Sequence, residues 1–176
     1  MKVIICDDYK SQSAAGADII EKIVREKPDC CLGLATGSSP VGMYQELARR
    51  CREEGLDFSK VHTVNLDEYI GLEPTHDQSY RYFMDSNLFD HINIDKKNTY
   101  VAKGTGNIDA NIAEFQAVIA NSCVELQVLG VGNETRAEPF RRGGQIGAVM
   151  DHLPGLLLQH VTVGPVARHR RWVKAF

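Results

Sequence analysis

The 176-residue chain lacks any apolar run approaching the roughly 18 residues of a membrane-spanning helix. Its apolar N-terminal stretch, Val3 to Cys6, stops at Asp7-Asp8, too short for a signal peptide. No membrane partner is expected, and the chain reads as cytoplasmic. An excess of one charge is also lacking: 20 Lys and Arg stand against 23 Asp and Glu, a net of −3. No overall field therefore draws the molecule onto nucleic acid. The five cysteines (Cys6, Cys30, Cys31, Cys51, Cys123) are odd in number and form no C-x-x-C, which speaks for buried free thiols in a reducing compartment rather than a disulfide framework. His62, His76 and His91 lack ligand spacing, so no metal is expected.

What is present is ordinary for one globular domain: 43% hydrophobic and 24% charged residues, in a chain long enough to bury a real core. Lys2 to Cys6 reads as a buried strand, Ser11 as the cap of a helix carrying Ala17, Ile20, Ile23 and Val24. Cys30 to Ala35 predicts a second strand, and Val41, Tyr44, Leu47 and Cys51 mark a helix face ending before Gly55. Val61 to Leu66 follows as a strand. Ser79 to Phe89 then predicts a helix with Tyr82, Phe83 and Phe89 inward, and Thr99 to Ala102 a short strand. Asp109 is placed to cap a helix running to about Ala120, and Glu125 to Val131 makes a last apolar strand. The alternation predicts an α/β fold, a mostly parallel sheet with helices on both faces in a Rossmann-like three-layer arrangement.

The pattern changes near Gly132. Residues 1–133 carry 13 basic and 20 acidic side chains, a net of −7; residues 134–176 carry 7 and 3, a net of +4, with Arg replacing Lys as the main cation. The chain divides accordingly into an α/β domain over 1–133 and a divergent tail over 134–176, in which no element is predicted. The Arg168-His169-Arg170-Arg171-Trp172 cluster reads as solvated terminal charge.

Two motifs could carry chemistry. In Thr36-Gly37-Ser38-Ser39-Pro40, Ser39 as N-cap with Pro40 at the first helical position would leave free N–H groups and hydroxyls at a positive helix end. That is a phosphate cradle, although an ordinary capped βα turn uses the same residues. In Asn65-Leu66-Asp67-Glu68-Tyr69, two carboxylates follow directly on the third strand. In a parallel sheet they share an edge with the first loop, so a sugar phosphate held there could present a proton to Asp67 as base, with Glu68 beside it as a substrate-binding group. A solvated acidic turn is the alternative. Ser79-Tyr80-Arg81-Tyr82-Phe83 could add an aromatic or hydroxyl wall.

Four stretches in order, Leu34 to Pro40, Asn65 to Leu72, Gln78 to Met84 and Leu126 to Asn133, together resemble the glucosamine-6-phosphate deaminase (isomerase) family over about three-quarters of the chain. The resemblance implies the α/β fold shared with ribose-5-phosphate isomerases and 6-phosphogluconolactonases. It also implies conversion of glucosamine 6-phosphate and water to fructose 6-phosphate and ammonia, a step of amino-sugar catabolism. Thr36, Gly37, Ser38 and Ser39 would hold the phosphate and Asp67 would move the C2 proton, with no metal or organic cofactor. A homo-oligomer is compatible with this reading. A 6-phosphogluconolactonase-like hydrolase shares the fold, but Asn-Leu-Asp-Glu-Tyr followed by Ser-Tyr-x-x-Phe favours the deaminase branch.

The resemblance stops at Asn133. Arg136 stands where the family has its ring-opening histidine, and a guanidinium cannot serve as a base at neutral pH. Glu134 replaces an expected Asn or Asp, and Glu138-Pro139 echoes the family's Asn-Glu-Pro at the wrong spacing. Gln145 to Asp151 faintly matches a later family segment, as an internal deletion would leave it, whereas the shift from Lys to Arg and the loss of periodicity are what a change of reading frame near residue 133 would give. The C-terminal part of the fold is therefore expected to be incomplete, and a sugar-phosphate binder without turnover is the second functional expectation.

Overall fold

A single carboxylate ends the first strand and begins the first helix. Asp8 accepts the Ser11 N–H at 2.7 Å while the Ser11 hydroxyl receives the Asp8 N–H at 3.2 Å, a reciprocal capping box. The cap is thus Asp8, not Ser11, which sits one turn in and completes the pair. The computed structural model describes residues 2–129, 145–147 and 161–165. In chain order these form β1 (Lys2–Cys6), α1 (Tyr9–Glu26), β2 (Cys31–Leu34), α2 (Val41–Glu54), β3 (His62–Asn65) and β4 (Asp67–Tyr69). They continue as α3 (Tyr80–Asn87), β5 (Thr99–Tyr100), α4 (Ile108–Asn121), β6 (Val124–Gln127), β7 (Gln145–Gly147) and β8 (Val161–Pro165).

The central sheet has four parallel strands in the order β5-β3-β2-β6. From β2 the chain moves outward to β3 and β5, then returns to β6 on the far side of β2. The strand order therefore reverses beside β2, which places the ligand crevice of such a sheet at its carboxyl end. Pairing of Leu34 with Asn65 sets the loops after β2 and β3 next to each other at that edge.

Register and core agree on two covered faces. Leu32 pairs with Thr63, whereas Tyr100 pairs with Val64, the next residue of β3, so Leu32 and Tyr100 face opposite ways. On the Leu32 side a large cluster joins Ile20 and Val24 of α1, Tyr44 and Leu47 of α2, and Met84 of α3. On the Tyr100 side a smaller one joins Ala102 to Phe115 of α4, with Tyr100 stacked on the Phe115 ring at 6.1 Å. The three-layer α/β expectation is met.

Several local expectations are corrected. Pro40, not Ser39, precedes α2, and its carbonyl accepts the Tyr44 N–H at 3.0 Å. Asn107, not Asp109, caps α4, because its side chain reaches the Ala110 N–H at 3.1 Å. Tyr82 is 43% exposed, since the inward face of α3 runs through Met84 to Leu88 and Phe89. Of the five free cysteines, Cys6 and Cys30 are buried and Cys123 is exposed. Residues 134–176, read as featureless, contribute two backbone ladders: β7 pairs antiparallel with β4, and β8 parallel with β1. Glu134, Arg136, Glu138 and Pro139 lie outside the described residues.

Among the described residues no helix is long and apolar enough to cross a membrane, and no group of three or more His, Cys, Asp or Glu could hold a metal ion.

Candidate functional site

The loop after β2 is held from beneath and from the side. Beneath it, the fully buried Tyr44 donates its hydroxyl to the Ala35 carbonyl at 2.6 Å, and buried Asn65 donates its side-chain amide to the Leu34 carbonyl at 3.1 Å. At the side, Tyr9 of α1 donates its hydroxyl to the carbonyls of Ser38 (3.0 Å) and Ser39 (3.2 Å) and accepts the Gly42 N–H at 2.8 Å. Gly37 turns the loop at φ 91°, a conformation costly for any other residue. Gly37, Ser38 and Ser39 are exposed, and their N–H groups have no acceptor among the described residues. The predicted donors are therefore free, at the start of a 14-residue helix.

The two adjacent carboxylates of β4 point different ways because a strand alternates its faces. Glu68 is 2% exposed and fully engaged. One of its oxygens accepts the Tyr69 and Tyr80 N–H groups at 2.8 and 3.0 Å; the other accepts the Ser79 hydroxyl at 2.8 Å and the Arg81 N–H at 3.0 Å. Ser79, itself buried, caps α3. The expected role of Glu68 as a substrate-binding group does not match this geometry: its carboxylate fastens β4 to the N-terminus of α3. Asp67, its neighbour, is half-buried.

Tyr80, at the start of α3, is tied to the second motif. Its hydroxyl donates to that of Tyr69 at 3.2 Å, and the two rings lie 4.9 Å apart. Burial first, then the Tyr69 hydroxyl and the negative charge of Asp67, push the Tyr80 phenol above its ordinary range, while a hydrogen bond with Thr36 opposes them. Tyr69 of β4 and Tyr80 of α3 thus meet hydroxyl to hydroxyl, and the Tyr80 phenol, pushed up chiefly by burial, stays protonated at neutral pH. Of the stretch expected to add an aromatic or hydroxyl wall, Tyr80 directs its hydroxyl to that of Tyr69.

The far end of β4 is seated on the loop after β5. Gly71 (φ 92°) donates its N–H to the Gly104 carbonyl at 2.8 Å, and a Cβ at Gly104 would lie 2.0 Å from the Tyr69 carbonyl oxygen. Asn111 of α4 holds the same loop by donating to the Lys103 and Thr105 carbonyls at 3.0 and 2.7 Å. Tyr9, Glu68 as an anchor, and Asn111 were not anticipated as parts of this edge. Only Glu68 carried a signal, namely that a strand must send neighbouring residues to opposite faces.

Such an arrangement offers free amide donors for an anion on the loop after β2, with a half-buried carboxylate at Asp67 and a protonated phenol at Tyr80 on the elements that follow. The family model of glucosamine-6-phosphate isomerases and 6-phosphogluconolactonases matches residues 10–135. A glucosamine-6-phosphate deaminase of Clostridium perfringens (strain SM101 / Type A) is 48% identical over 134 residues, 75% of this chain and 55% of that one. One from Clostridium tetani is 49% identical over 134 residues, covering 75% and 56%. Among solved structures, a monomeric glucosamine-6-phosphate deaminase superposes with TM-score 0.71 at 36% identity, covering 75% of this chain and 56% of that one. The 6-phosphogluconolactonase of Thermotoga maritima shares the fold, at TM-score 0.61 and 22% identity. This chain thus spans a little over half the length of these deaminases. By the match to its model over most of the chain, the protein belongs to the family of glucosamine-6-phosphate isomerases and 6-phosphogluconolactonases.

Proposed function

We propose that the protein acts on an amino-sugar phosphate as a glucosamine-6-phosphate deaminase does, converting glucosamine 6-phosphate and water to fructose 6-phosphate and ammonia. The observation that carries this reading is the pairing of Leu34 with Asn65, which sets the loop of unpaired amides at Gly37 to Ser39 and the strand of Asp67 at one edge of the sheet. Relatives named glucosamine-6-phosphate deaminase at 48 and 49% identity support it. The lactonase reading has only a shared fold at low identity behind it.

In this scheme the phosphate sits on the amides of Gly37 to Ser39, with Thr36 at the inner end of the loop. Asp67 takes the C2 proton of the open-chain sugar. The adjacent C1 carbonyl acidifies that C–H, and the resulting enol-type intermediate is protonated at C1 by the same carboxylic acid, giving a C2 imine. Water hydrolyses the imine to the ketone and releases ammonia. Glu68 acts as a positioning residue, and the site lies in a cytoplasmic enzyme that needs no cofactor for this proton transfer.

Ammonia release from glucosamine 6-phosphate, with Asp67→Asn alongside and binding followed by calorimetry, tests the reading. Turnover that is lost in Asp67→Asn while the sugar phosphate still binds is the expected result. Turnover surviving that substitution, or no binding by the unaltered protein, would overturn it. Binding without turnover in the unaltered protein would favour the non-catalytic binder.

A further inference from the structure

We propose that Tyr9, on the first turn of α1, is the positioning residue that aims the anion loop, an inference that rests on the phosphate role assigned to that loop above. Its ring comes from a helix 29 residues earlier in the chain, yet its hydroxyl makes three contacts there: to the Ser38 and Ser39 carbonyls and from the Gly42 N–H. The geometry of the peptide unit gives these contacts a direction. In a trans peptide the C=O and the following N–H point in opposite directions, and no peptide here is cis. Drawing the Ser38 carbonyl toward Tyr9 therefore turns the Ser39 N–H away from Tyr9, to the outer side of the loop. The Ser39 carbonyl can be drawn in the same way at no loss, because the next residue, Pro40, has no N–H.

Tyr9 also takes up the Gly42 N–H, one of the free donors at the start of α2. The Ser39 amide, with no acceptor of its own, is then left as an outward donor next to those of Gly37 and Ser38. The neighbourhood is shaped to hold this contact. A Cβ at Gly42 would lie 2.4 Å from the Ser13 hydroxyl and 2.8 Å from the Tyr9 ring. Ser13 is tied to the Tyr9 carbonyl at 2.7 Å, and the Asp8–Ser11 capping box fixes the turn that carries Tyr9. Tyr9 is 47% exposed, so removing its hydroxyl leaves the core untouched.

The test is Tyr9→Phe, titrated with inorganic phosphate and with fructose 6-phosphate and followed by amide NMR. The expected result is about a tenfold weaker affinity for both, loss of the phosphate-induced shift of the Ser39 amide, and an unchanged melting temperature. In turnover, KM should rise with kcat unaltered at saturation. Gly42→Ala, which must displace the Tyr9 ring, should reproduce the weakening. If Tyr9→Phe binds phosphate as tightly as the unaltered protein, Tyr9 has no such role and the proposed function stands. If the unaltered protein binds neither probe, the anion loop itself is wrong and both readings fall.

Discussion

The buried Glu68 carboxylate accepts the Ser79 hydroxyl at 2.8 Å, together with the Tyr80 and Arg81 N–H groups. A full negative charge at the first turn of α3 meets its free donors and its positive end at once. Because Glu68 follows Asp67 and Ser79 precedes Tyr80, this one contact fixes the distance between the carboxylate and the phenol of the site.

Replacing Glu68 by Gln keeps the shape but sets an NH2 group against N–H donors. A cost of about 2–3 kcal/mol in stability is expected, measured by urea unfolding, with a further loss of turnover in the folded fraction. A variant as stable as the parent would show that the carboxylate is not the anchor of α3.

Tyr80→Phe removes the hydroxyl that donates to Tyr69 and leaves the ring against Tyr69. A fall of about 10–100-fold in kcat is expected if the phenol helps orient the base or the substrate, with little change in thermal stability. Unchanged kcat would reduce Tyr80 to a wall of the site.

Much of this was legible in the sequence, and the exceptions have physical causes. Strands β2, β3 and β6 and helices α1, α2 and α4 stand out because an apolar run or a 3.6-residue stripe is a strong local signal. The caps sit one to three residues from the expected Ser11, Ser39 and Asp109: Asp8 and Asn107 win over polar neighbours because their backbone is extended there, whereas Pro40 precedes α2 with a backbone that is already helical and no side-chain cap. Asp67 and Glu68 looked equivalent because β4 is three residues long, too short to show alternation. Tyr9 gave no signal: its partners are 29 and more residues away and consist of backbone atoms, which every sequence has.

Gly33 and Gly104 should respond differently to Ala. At Gly33 the new Cβ would lie 1.8 Å from the Gln127 side-chain oxygen, the end of a flexible group that can move once its bond to the Val128 carbonyl is given up. A loss of about 1 kcal/mol is expected, cancelled in a Gln127→Ala background. At Gly104 the obstacle is the Tyr69 carbonyl at 2.0 Å, so the backbone of β4 must shift. That change should cost roughly 2–3 kcal/mol and disturb the Asp67 site, with no rescue by trimming a side chain. Equal losses at the two glycines in both backgrounds would contradict this account.

Stability should also depend on acid through the pairing of α1 with α2. Arg50, 8% exposed, meets Asp18 at 2.7 Å, Glu21 at 2.6 Å and Glu46 at 2.9 Å. Hydrogen bonds from Arg49 first, and then from Arg50, hold the Glu46 carboxyl at about 2 against an ordinary 4.5, with burial opposing them. The folded state therefore binds its proton less readily than the unfolded chain. The stabilisation is complete above about pH 4.5 and is lost as pH falls toward 2. Allowing for the solvent around Arg49, it amounts to about 1–2 kcal/mol. Arg50→Gln leaves three carboxylates facing one another and should cost roughly 2–3 kcal/mol at pH 7. Protonation relieves that repulsion, so the gap between variant and parent should narrow in melts taken from pH 7 down to pH 3. A gap constant over that range would mean that Arg50 acts through packing of its stem and not through its charge.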